Sequence, residues 1–141
     1  MNKESLTQKG VTVTSELKGI FTVGVLESNV SSFRIFNTGL QPLTTLRIKT
    51  HVNGEDPGGT IVDTDAQFAS PPSGSAIQHA VQRNSADEEE TIAPTTLPAG
   101  SQIFFALATQ TSYVRGLHSI EILAQTASGQ TTTLDVYVGR A

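Results

Sequence analysis

The chain has 141 residues, with 9 Lys and Arg against 13 Asp and Glu, a formal net charge of -4 and no cysteine. Disulfides, thiolate metal sites and cysteine nucleophiles are thereby excluded, and nucleic acid is not an expected partner, because neutralising phosphates takes an excess of basic residues. A domain of this length buries roughly two thirds of its unfolded surface and needs no covalent staple.

Residues 1–10 are polar and aperiodic, which predicts an N-terminal arm that orders only on outside contact, ahead of one domain over 11–141. Met1 reads as a natural start, and no apolar core of a secretory signal follows it. No later stretch has the apolar length that crosses a bilayer, so no membrane partner is expected.

Val11-Thr12-Val13-Thr14 alternates apolar and polar residues, and Ile20 to Leu26 is a denser β-prone run broken by Gly24. Both predict strands. Ser32 to Phe36 is a third, ended by Asn37-Thr38-Gly39, where Asn and Gly suit a tight reversal. Thr44 to Val52 alternates most cleanly: Leu46, Ile48 and Val52 share one face and Arg47, Lys49 and His51 the other. One wet and one buried face is the mark of an antiparallel sandwich. After the turn chemistry of Asn53-Gly54 and Asp56-Pro57-Gly58-Gly59, Thr60-Ile61-Val62 is the returning half of a hairpin or an edge.

Between Asp63 and Pro98 the pattern changes. Pro71-Pro72-Ser73-Gly74 breaks the chain, and the spacing of Ala76, Ile77, Ala80 and Val81 suits a short helical turn, so this region reads as a long middle insertion. Excursions of this kind often carry function, which points to residues 65–92 as a contact surface. Strands return at Gln102 to Ala108, Leu117 to Ala124 and Thr132 to Val138. The expected fold is all-β: an antiparallel sandwich of seven or eight strands.

The order of strand, Asn37-Thr38-Gly39 turn, strand, long connection, Leu97-Pro98-Ala99-Gly100, strand, and Gly116-Leu117-His118-Ser119-Ile120 strand resembles immunoglobulin-like modules. The likeness is to the CARDB-type bacterial adhesion-related domains and to immunoglobulin-like domains on phage virions, over roughly residues 17–138. Two departures are the middle insertion and Phe104-Phe105, where alternation sends one aromatic inward and one outward. The resemblance implies a spacer, adhesive unit or assembly part rather than an enzyme.

The candidate chemistry is sparse. Ser15-Glu16-Leu17-Lys18 has Ser-x-x-Lys spacing but leads into a strand, where that motif does not work. His51, His79 and His118 lack partners at metal-ligand spacing, with His51 and His118 read as half-exposed strand residues and His79 as a loop residue; no metal or cofactor is expected. Asp63-x-Asp65 and the run Asp87, Glu88, Glu89, Glu90 match no calcium loop; the run reads as solvated carboxylates, with a weak cation site as the alternative. The sharper expectation is electrostatic: the acidic run meets Arg47, Lys49 and His51, together with Arg34, on a neighbouring copy.

Two classes of function follow. The first is a non-catalytic virion component made in the host cytoplasm: a capsid decoration protein, or a neck or tail accessory, that binds other virion proteins and itself as a homo-oligomer. The second is a cell-surface module recognising protein or carbohydrate. Sugar stacking favours exposed aromatics, and this chain has no Trp and two tyrosines, Tyr113 and Tyr137.

Overall fold

The computed structural model describes residues 7–24, 30–52, 59–72, 75–107 and 117–140. Ten strands are described: β1 Gln8–Val13, β2 Lys18–Gly24, β3 Val30–Asn37, β4 Leu43–Val52, β5 Thr60–Val62, β6 Ile77–Arg83, β7 Glu89–Glu90, β8 Gln102–Leu107, β9 Leu117–Thr126 and β10 Thr132–Arg140. One short helix, α1 (Asp65–Ala69), and a 3-10 turn over Pro94–Thr96 join them.

The strands form two antiparallel sheets packed as a sandwich. The six-stranded sheet runs β1-β10-β3-β8-β6-β7 and the four-stranded sheet β2-β9-β4-β5. Their pairing is nested: β1 with β10, β2 with β9, β3 with β8 and β4 with β5, alternating between the sheets. This is one long antiparallel hairpin rolled up on itself, with β10–β3 and β9–β4 contacts closing the two layers. The order is that of a jelly roll. An immunoglobulin sandwich instead pairs its first two strands within one sheet; here β1 and β2 lie in different sheets.

Alternation places the core. Phe33 and Ile35 of β3, Leu46 and Ile48 of β4, Ile103, Phe105 and Leu107 of β8, Ile120 and Ile122 of β9, and Leu134 and Val136 of β10 are all buried between the layers. Phe33 stacks on Phe105 at 5.0 Å between centroids, and Phe21 meets Phe33 edge-on at 6.3 Å. Such aromatic pairs add about 1 kcal/mol each beyond their buried area.

Leu97 and Phe68 are also fully buried. Phe68 is delivered by α1, whose capping box is complete: the Gln67 amide donates to Thr64 Oγ1 and the Gln67 side chain accepts from the Thr64 amide. At the end of β3, buried Asn37 ties three segments together. Its Nδ2 donates to the carbonyls of Gln41 and Leu97, and its Oδ1 accepts from the Gly39 amide and Thr132 Oγ1. Gly39 passes so close to β10 that a Cβ would overlap Thr132 Oγ1 and the Thr133 amide.

The middle region is more regular than its sequence predicts. Ile77, Ala80 and Val81, which with Ala76 have the spacing of a helical turn within an insertion, lie in strand β6, bonded to β8 along its length. The cause is a β-bulge between Ile77 and His79 that turns Ile77 and Ala80 inward together, three residues apart. His79 is therefore an exposed strand residue, not a loop residue. Gln8 to Gly10 of the expected arm lie in β1 against β10, and residues 1–6 lie outside the described residues.

Candidate interaction surface

The outer face of the six-stranded sheet is set by the same alternation that builds the core. With Phe33, Ile35, Ile103, Phe105, Leu134, Val136 and Ala80 turned inward, the intervening Arg34, Phe36, Gln102, Phe104, Asp135, Tyr137 and Val81 turn outward. Register then aligns them. Tyr137 of β10 lies opposite Arg34 of β3, Arg34 opposite Phe104 of β8, and Phe104 opposite Val81 of β6. The adjoining row is Asp135, Phe36, Gln102, Arg83 and Glu89.

Arg34 lies over the Tyr137 ring, 4.2 Å from its centroid, and 6.0 Å from that of Phe104. Lys9 Nζ approaches the same Tyr137 ring at 5.9 Å. Asp135 does not neutralise Arg34: its oxygens accept from the Gly10 amide and the Tyr137 hydroxyl. Among the described residues, the two ion pairs are Arg47 with Asp63 and Arg83 with Asp87, so Arg34 keeps donors for an outside acceptor. Gln102 Oε1, on the β8 strand of this face, is buried without a hydrogen-bond partner among the described residues.

The predicted acidic run borders this face. Asn84 builds the β6–β7 turn: its Oδ1 accepts from the Ala86 and Glu88 amides and its own amide donates to the Glu88 carbonyl. Asp87 takes the left-handed conformation, φ 62°, which Asp tolerates. Asp87, Glu88 and Glu89 are exposed, whereas Glu90 accepts from Gln82 Nε2 at 2.7 Å. The run is thus a built hairpin that leaves three of its four carboxylates exposed to solvent.

The predicted basic group does not assemble as one surface. Arg47, Lys49 and His51 share the outer face of the four-stranded sheet, and Arg34 lies on the opposite side of the sandwich. Arg47 donates from Nε to Asp63 at 3.0 Å, and Lys49 sits in register with Glu121 and Ile61. Asp65 accepts from the amide and hydroxyl of Thr95, so both members of the Asp63-x-Asp65 pair have structural partners. Among the described residues no cluster of three His, Asp or Glu side chains could hold a metal ion, and no helix is long and apolar enough to cross a membrane. Tyr113 lies outside the described residues, as does the side chain of His118.

The sequence singles out Arg34 and one outward aromatic of Phe104-Phe105 without saying which, and it does not single out Tyr137, Lys9 or Val81 as their neighbours. Cross-strand register decides that grouping, and single-sequence periodicity does not contain it. Comparison with protein-family models, curated proteins and solved structures gives no match.

Proposed function

We propose that this protein is a non-catalytic structural and interaction protein that works through the outer face of its six-stranded sheet. The observation that carries the reading is the row Tyr137–Arg34–Phe104 in the middle of that face. Arg, Tyr and Phe are the residues enriched at the energetic centres of protein interfaces, with charged residues forming the rim. Lys9 on one side and Glu88 and Glu89 on the other supply such a rim.

Within that class, the reading extends to a virion component that associates with itself, most simply a capsid decoration protein or a neck or tail accessory. The rolled hairpin favours it, since jelly rolls recur in viral capsid domains. Lectins use the same plan. Tyr137, however, carries Arg34 on its ring and is not a free platform for a sugar.

The test is co-sedimentation of the purified protein with capsid-like particles, alongside a glycan array. Saturable pelleting with particles and a blank array are expected. Protein that stays in the supernatant at every concentration, or specific glycan binding, would contradict the proposal.

A further inference from the structure

The outer face of the six-stranded sheet is polarised. Its β1–β3 side carries the cations Lys9 and Arg34 against one carboxylate, Asp135, and its β6–β7 side carries the carboxylates Asp87, Glu88 and Glu89 against one cation, Arg83. Between them lie Phe104 and Val81 in one register row. From this charge complementarity we infer that the occupant of the face is a second copy of the chain, related by a two-fold axis parallel to the strands and passing between β8 and β6.

Geometry fixes the axis. Strands in a sheet are about 4.8 Å apart, so β3 and β7, three positions apart, lie about 14 Å from each other with their midpoint between β8 and β6. Rotation about a line there lays β3 of one copy over β7 of the other and leaves each register row opposite itself. Arg34 then faces Glu89 of the second copy one row away, within reach of two long side chains.

The same operation has consequences that the charges did not dictate. Phe104 comes opposite Val81 of the second copy, placing an aromatic on an aliphatic surface at the centre. Gln102 comes opposite Arg83 of the second copy, setting two polar side chains against each other beside that aromatic contact. Every contact occurs twice, as a two-fold interface requires. The inference rests on the face being a protein-contact surface and names what covers it.

Charge reversal tests it without touching the core. Sedimentation equilibrium of the full chain is expected to show a concentration-dependent dimer that weakens as salt rises. Arg34→Glu and the double change Glu88→Lys with Glu89→Lys should each weaken it at least tenfold. An equimolar mixture of the two variants should restore dimer close to the wild-type level, because in the mixed dimer one ion pair re-forms with reversed sign and the other keeps its native Arg34 and Glu89. Arg34→Gln, which removes the charge and leaves a shorter polar side chain, should also weaken the dimer and provides the reading should the reversed variant fold poorly.

A wild-type chain that stays monomeric at millimolar concentration, a dimer indifferent to these substitutions, or a mixture that does not recover would overturn the inference. Particle binding by such a monomer would leave the broader functional proposal standing.

Discussion

Thr132 Oγ1 donates to Asn37 Oδ1 at 2.8 Å in a fully buried position, joining the start of the last strand to the end of the third. The remaining capacity of the Asn37 amide goes to the Gln41 and Leu97 carbonyls and the Gly39 amide, so one polar side chain fixes the β3–β4 turn, the residue that plugs the core and the entry to β10. In low dielectric each of these bonds is costly to leave unmade.

Asn37→Ala is therefore expected to destabilise the fold by about 2–3 kcal/mol, and Thr132→Val by about 1 kcal/mol, because Oδ1 then still accepts from Gly39. Asn37→Asp should match or exceed the alanine change, since it sets a second acceptor against two carbonyls. Urea unfolding midpoints at constant m-value measure all three. An Asn37→Ala midpoint equal to wild type would remove Asn37 from this role.

The flank of the sandwich offers a contrast between a visible ion pair and a hidden ring. Arg47 and Asp63 are 31% and 28% exposed in their side chains, and ion pairs so placed contribute at most about 1 kcal/mol. Phe68 is fully buried, and its truncation leaves a cavity. Arg47→Ala should cost less than about 1 kcal/mol, Thr64→Ala about 1 kcal/mol through the lost cap, and Phe68→Ala about 3–5 kcal/mol. Thermal or urea unfolding ranks the three, and a larger effect at Arg47 than at Phe68 would contradict the packing described.

Nested pairing makes a kinetic prediction. Gln8 pairs with Val136 and Lys18 with Ala124, so the outer ladders close loops of most of the chain before their contacts form. Folds dominated by non-local pairing refold in milliseconds to seconds. The chain has no Trp, so stopped-flow circular dichroism is the suitable probe. Complete refolding within the dead time would mean that local contacts govern the transition state.

How far the sequence was legible follows from these elements. Strands with clean alternation, such as Thr44 to Val52 and Thr132 to Val138, were readable because each buries one face against a single partner layer. β6 was not. Its bulge shifts the phase, and Gln82, an inward residue only 2% exposed, breaks the apolar pattern from within. α1 has five residues, too few for a periodic signal, although Thr64-x-x-Gln67 spells its capping box. Arg34 and the acidic run were picked out as charges in the sequence. That they sit on one sheet, and that Arg47, Lys49 and His51 sit on the other, depends on strand order, which the rolled hairpin alone determines.

Hydroxyl-radical footprinting read by mass spectrometry, comparing dilute with concentrated protein, tests the working surface most directly. Association should protect Phe104, Phe36 and Val81 on the outer face of the six-stranded sheet, where β3, β8 and β6 are covered by the second copy. Leu40, 88% exposed at the β3–β4 turn, and Ile61, 38% exposed on β5, should stay as reactive as before. Protection confined to Leu40 or Ile61, with Phe104 and Phe36 unchanged, would place the contact elsewhere and contradict this assignment of the surface.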